Sequence, residues 1–304
     1  MPSAFAVIMS RLWNSPHLLL VLATVMWGGH TIVARVSVGE ISPMVLMEMR
    51  WVGCLAVLLV LVRGDIVTQW PLARARIGWT ILMGGVGLSG FTIFFIFAAQ
   101  YTSAVNLGIT QSIIPAFVMI LNLLFLGVNV RFMQVIGLLS SLLGVLVLVS
   151  GASLGVLFAL QFNSGDLLML VACLAYASYT VGLSRRINVR PLVLLTYFSI
   201  FASITHGIGV GIEYAQGTLV MPGIKGMIIV LYCVIFPSLL AQILFMRGVE
   251  LAGANRAGLH LNLIPIFSAL MAILFLRETM HIYHAVSLVM VLGGIYLVER
   301  HKKI

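Results

Sequence analysis

The chain has 304 residues, of which 62% are hydrophobic and only 8% charged, with a mean hydropathy of +1.16. Soluble domains carry close to a quarter charged residues, so this composition excludes a soluble globular fold and predicts a polytopic membrane protein. The net charge of +9 is spread over short loops without interleaved aromatic platforms, which argues against nucleic acid as a partner.

The opening segment, MPSAFAVIMSRLWNSP, has no basic stretch ahead of its apolar residues and no small-residue cleavage site. It reads as an interfacial segment and not a signal peptide. Apolar runs of membrane-spanning length then recur at about residues 16–38, 43–63, 77–99, 103–126, 131–150, 165–184, 191–212, 223–246, 254–276 and 280–298, which predicts ten transmembrane helices. Turn or breaker signals separate them at Ser42-Pro43, Trp70-Pro71, Asn129, Gly151, Asn163 to Gly165, Arg190-Pro191 and Pro222-Gly223. Cys54, Cys173 and Cys233 each fall inside a run; an odd, buried set reads as small apolar filler, not as a disulfide framework.

Ten spans put both termini on one side. That side collects thirteen Arg and Lys residues (Arg11, Arg63, Arg74, Arg76, Arg131, Arg185, Arg186, Arg190, Arg247, Arg256, Arg300, Lys302 and Lys303), against Arg35, Lys225 and Arg277 on the other. The positive-inside rule therefore predicts that both termini are cytoplasmic.

An ungapped offset of 150 residues aligns Ala104 with Ala254, Gly108 with Gly258, Pro115 with Pro265, Phe117 with Phe267, Leu124-Phe125-Leu126 with Leu274-Phe275-Leu276, and Gly144 with Gly294. The second half is thus a diverged copy of the first. With five spans per copy the second must be inverted, and symmetry-related residues are expected to flank a site near the bilayer midplane. The expected organisation is a single membrane domain over residues 1–304, with a first five-helix repeat at 16–150 and an inverted second repeat at 165–299.

The stretch Trp27-Gly28-Gly29-His30-Thr31-Ile32-Val33-Ala34-Arg35, with Pro43 and Arg50 after it, resembles the opening of EamA-type proteins of the drug/metabolite transporter superfamily. So does the run LNLIPIFSALMAILFLRE, with Pro265 early in the ninth span and Glu278 just beyond it. The resemblance covers essentially the whole chain, and within the family it is greatest to the YddG-type amino acid exporters. It implies an all-α membrane protein of ten helices around a central cavity, exporting small metabolites across a bacterial inner membrane. Two departures are visible: Glu278 aligns with Val128, and Arg50, at the offset of 149 that holds in the early spans, with Ser199. Whatever these charges do is done once.

Polar side chains inside spans are the candidates for function, because hydrocarbon does not tolerate them cheaply. Trp27 and His30 share a face of the first span, and their counterparts, at an offset of 149 in this part of the chain, are Tyr176 and Tyr179; these four either line opposite walls of one cavity or pack against neighbours. In the fourth span Asn106 and Thr110 lie four apart, matched by Arg256 and His260 in the ninth, with Gln111 and Asn262 on adjacent faces. These groups either bind substrate or tie helices together. Pro115 and Pro265 each remove a helical hydrogen bond and are candidates for bending. Gln242 and Tyr101 offer further hydrogen-bonding edges. Glu48 and Arg50 are expected to form structural ion pairs with other helices, Glu48 being within reach of His30 or Arg35. Gly84, Gly85, Gly87 and Gly90 suggest close helix packing.

These features favour a carrier of neutral, amino-acid-like small molecules working by facilitated efflux, with a monomer sufficient, membrane lipids around it and no cofactor. A nucleotide-sugar or phosphate-ester carrier is the alternative, and would need more basic residues in the cavity than Arg256 and Arg50. An enzyme is disfavoured, since the spans hold no acidic pair and no acyl-transfer motif, and His281 with His284 lacks the carboxylate or thiolate that would complete a metal site.

Overall fold

The computed structural model describes residues 13–300; most of the opening segment, with Arg11, Lys302 and Lys303, lies outside them. Among the described residues ten helices are long and apolar enough to span a membrane: α1 Pro16–Val36, α2 Pro43–Leu61, α3 Ile77–Ala98, α4 Ala104–Leu126, α5 Phe132–Val149, α6 Ser164–Leu183, α7 Pro191–Ala215, α8 Ile224–Ala252, α9 Ala254–Leu276 and α10 Ile282–Arg300. α8 runs six residues past its expected end. Its last turns carry Arg247 and Glu250, which pair with each other at 2.9 Å, while Arg186 meets Glu250 at 2.7 Å, so mutual neutralisation lets the helix continue to Gly253 (φ 83°). Trp70-Pro71, read from the sequence as a turn, lies within a short polar helix, Arg63–Arg74. That helix is held to the bundle by Arg190–Asp65 and by the Tyr197 hydroxyl donating to the Ile66 carbonyl.

Local chemistry sets the boundaries. Pro16, Pro43 and Pro191 open α1, α2 and α7, where the missing N–H has no intrahelical partner to lose. Asn163 and Asp166 close a capping box at the start of α6. α4 and α9 end at repeat-equivalent left-handed residues, Gly127 (φ 65°) and Arg277 (φ 56°), the second of which bears a side chain where glycine is favoured.

The copies share their irregularities. α3 and α8 each contain a π-helical stretch, Leu82–Leu88 and Val234–Leu240; Ser89, just past the first, and Ser238, within the second, donate to the carbonyls five residues back. α4 and α9 are each interrupted, between Gln111 and Ile114 and between His260 and Leu263, with Pro115 and Pro265 just past the break.

Packing interleaves the halves. α1 lies against α8 and α9, α6 against α3 and α4, α2 against α7, and α5 against α10. Every one of these contacts maps onto another, or onto itself, when the repeats are exchanged. Because consecutive spans alternate in direction, the copies are antiparallel and related by a pseudo-two-fold axis in the membrane plane. Outside, Leu124, Phe125, Leu274 and Phe275 are all more than two-thirds exposed, so this matched run faces lipid. The glycines of α3 pack as expected: a Cβ on Gly84 would sit 2.6 Å from the Phe198 carbonyl, and one on Gly87 2.8 Å from Tyr179 Cβ.

Candidate functional site

Midway along α1 and α6 the pseudo-axis passes an aromatic cluster. Trp27 meets Tyr176 edge to face with 6.2 Å between ring centroids, and Phe245, Phe91 and Tyr179 complete the contacts. The π-helical stretch of α8 fixes the tryptophan, because its Nε1 donates to the Pro237 carbonyl at 3.1 Å. Tyr176 therefore touches the tryptophan instead of facing it across open space, and Tyr179 packs behind it on Tyr176 and Phe198. Tyr179 is fully buried and donates to Gln242 Oε1 at 3.2 Å, whereas the buried Tyr176 hydroxyl has no hydrogen-bond partner.

Arg50 departs from expectation. It is buried, and among the described residues no carboxylate lies within 4 Å of it. Its Nε donates to Ser238 Oγ at 2.8 Å and its Nη1 to His30 Nε2 at 3.0 Å. Since that ring nitrogen accepts, a neutral His30 carries its proton on Nδ1, which faces Cys233 Sγ at 3.5 Å. Arg50 thus links α1, α2 and α8 through neutral groups. Glu48 is reached by neither His30 nor Arg35: its Oε2 is buried without a partner, beside α7 at Gly207, and Arg35 pairs with Glu278 at 3.0 Å. The expected ion pairs fail because α2 turns these two residues toward different neighbours.

Two vestibules open on opposite faces between α4 and α9. The one on the arginine-rich face, about 520 Å³, is lined by Asn122, Arg131, Arg185, Asn255 and Arg256. Its counterpart, about 420 Å³, is lined by Thr31, Gln111, Ser112, Asn262, Pro265 and Glu278. Both draw on α4 and α9: the first on the far end of α4 and the junction before α9, the second mainly on the segments around the breaks in the two helices. Between them the helices cross where a Cβ on Gly258 would lie 3.1 Å from Val118.

The remaining candidates disperse. Asn262 donates to Ser141 Oγ at 2.9 Å on α5 while lining the second vestibule. The Thr110 carbonyl receives Cys173 Sγ at 3.4 Å. Asn106 does not join Thr110 in one site. It donates to Asp166 and to the Gln161 carbonyl, in a polar turn with Thr102 and Asn163 that secures the start of α6. Tyr101 is 59% exposed in the α3–α4 turn, away from the interior. His260 is buried, donates through Nδ1 to the Arg256 carbonyl, and stacks on His17, whose Nε2 lies 3.2 Å from Glu299. Of the predicted residues, the structure groups Trp27, Tyr176, Tyr179 and Gln242 at the midplane, His30 and Arg50 beside them, and Gln111, Asn262 and Pro265 on one vestibule.

The family model of the EamA-like transporter family matches residues 14–150 and again 163–300. The chain belongs to that family. Among relatives of this EamA-like protein, an uncharacterized transporter of Bacillus subtilis (strain 168), YyaM, is 26% identical over 270 residues, covering 86% of each chain. An uncharacterized transporter of Archaeoglobus fulgidus is 25% identical over 300 residues, 93% of this chain and 97% of its own. A solved crystal structure superposes with a TM-score of 0.77 at 20% identity, over 95% of this chain and 99% of that one, which shows a shared fold. The EamA-like protein is accordingly a multi-pass membrane transporter for small molecules.

Sequence reasoning missed Asn122 and Asn255. They align with Ala272 and Val105, so no repeat match marks them; their only signal was an amide inside an apolar run.

Proposed function

We propose that this EamA-like transporter exports neutral, amino-acid-like metabolites by alternating access, without a coupling ion. The observation that carries the reading is the pair of vestibules on opposite faces, both lined by α4 and α9 and divided where Gly258 of α9 meets Val118 of α4. An exchange of conformation between the inverted copies closes one and opens the other. Two features support a zwitterion with an apolar side chain: the aromatic cluster at the midplane, and Arg50, a buried cation with no carboxylate within 4 Å among the described residues. A buried unpaired charge is costly, and a substrate carboxylate would compensate it. We take the protein to lie in a bacterial inner membrane with the arginine-rich face and both termini cytoplasmic, and to work as a monomer.

Arg131 and Arg185 join Arg256 in the first vestibule, which gives a phosphate-ester substrate a second, weaker claim. Proteoliposomes loaded with radiolabelled amino acids, nucleotide sugars or lipophilic cations distinguish the two. Counterflow of neutral amino acids without a pH gradient is expected, and transport of nucleotide sugars alone would replace the reading.

A further inference from the structure

The floor of the arginine-rich vestibule holds an amide pair that the midplane cluster and Arg50 do not touch. Asn122, near the end of α4, donates through Nδ2 to Oδ1 of Asn255, in the first turn of α9, at 2.7 Å. Both side chains are at least nine-tenths buried, and both residues line the vestibule. One bond satisfies only half of each amide: Asn122 Oδ1 and Asn255 Nδ2 have no partner. Exchanging O and N in both amides changes nothing essential, because one acceptor and one donor stay free either way. Buried polar atoms in this state are costly and mark a place where a partner is missing. Both atoms are closed off from solvent here, so a ligand reaches them as α4 and α9 part.

From this geometry we infer that the Asn122–Asn255 pair is a substrate-loading subsite for zwitterions. The free amide oxygen accepts from an ammonium, the free amide nitrogen donates to a carboxylate, and Arg185 and Arg256 at the rim draw the carboxylate in. Arg185 makes no ion pair among the described residues, and Arg256 lies 3.6 Å from Glu299. Among the described residues that line the vestibule none is acidic. A bare phosphate fits less well: it brings no ammonium for the free oxygen, only a P–OH on the same compact anion that must also meet the amide nitrogen. The inference rests on the transport reading above and names the substrate chemistry at its first station.

The test is binding to the purified full-length protein in nanodiscs, using L-phenylalanine, L-phenylalanine methyl ester (no carboxylate), N-acetyl-L-phenylalanine (no ammonium) and inorganic phosphate. L-phenylalanine is expected to bind at least tenfold more tightly than the other three. The double variant Asn122→Leu/Asn255→Leu, which removes both amides together, is expected to weaken it at least tenfold, and Arg185→Gln about threefold. Wild-type affinity in the double variant would reduce the pair to a helix contact and overturn the inference, as would phosphate or either derivative matching the zwitterion, or no binding at all. Because the probe series uses unaltered protein, it can overturn the inference even if the double variant does not fold, and Arg185→Gln then ties binding to this vestibule and not to Arg50. Flux of L-phenylalanine in proteoliposomes separates the two readings. Flux with unaltered binding in the variant sinks the subsite alone, and binding without flux sinks the transport reading.

Discussion

Trp27 and Tyr176 occupy equivalent places in the two inverted copies, and they meet edge to face across the pseudo-two-fold axis with their ring centroids 6.2 Å apart. A contact between equivalent residues on such an axis holds the repeats together and, if the repeats exchange conformations, is the natural place for substrate to intervene.

Replacing Trp27 with alanine removes the ring contacts and the bond to Pro237, and is expected to cost about 3–5 kcal/mol. Tyr176→Phe separates stability from transport. It deletes an unpartnered buried hydroxyl, so thermal stability in detergent should hold or rise by about 1 kcal/mol. Transport in proteoliposomes should fall severalfold, because a substrate held at the aromatic cluster would hydrogen-bond that otherwise unpartnered hydroxyl. Unchanged flux would remove Tyr176 from the site.

Arg50→Lys keeps the charge but cannot reach Ser238 and His30 together, because an ammonium lacks the planar fork of a guanidinium. A loss of about 1.5–3 kcal/mol is expected, together with a raised KM for amino acid flux. A lysine variant indistinguishable from wild type in both measurements would show that the fork is unimportant.

The α5–α10 contact depends on missing side chains. A Cβ on Gly137 would lie 2.5 Å from the Gly294 carbonyl, whereas Gly293 has open space around it. Gly137→Ala is expected to force the helices apart at a cost of about 1–3 kcal/mol, while Gly293→Ala should be neutral or slightly stabilising. Melting curves of the two variants side by side decide this.

Arg277 adopts φ 56° at the end of α9, where its equivalent is Gly127. Relief of left-handed strain in Arg277→Gly is expected to raise stability by about 1 kcal/mol. An equal or lower melting temperature would show that contacts of the arginine outweigh the strain.

Orientation can be read with impermeant maleimide. The three native cysteines are buried, so a cysteine at Thr279 should label from outside intact cells and one at Asn129 only after permeabilisation. The reverse pattern would invert the membrane topology inferred from the arginines.

The chain by itself determined the number, approximate limits and alternating directions of the spans, and the inverted repeat. These rest on the length of apolar runs and on local breakers, which act within a few residues. Only the tertiary structure decided which side chains meet. The helices are apolar on nearly every side, so hydrophobicity does not specify how each is rotated about its axis, and in lipid the choice falls to close packing and interhelical hydrogen bonds. Hence Arg50 finds Ser238 and His30 where the sequence suggested an ion pair, Asn106 is drawn to the α6 cap, and Asn122 meets Asn255 across 133 residues.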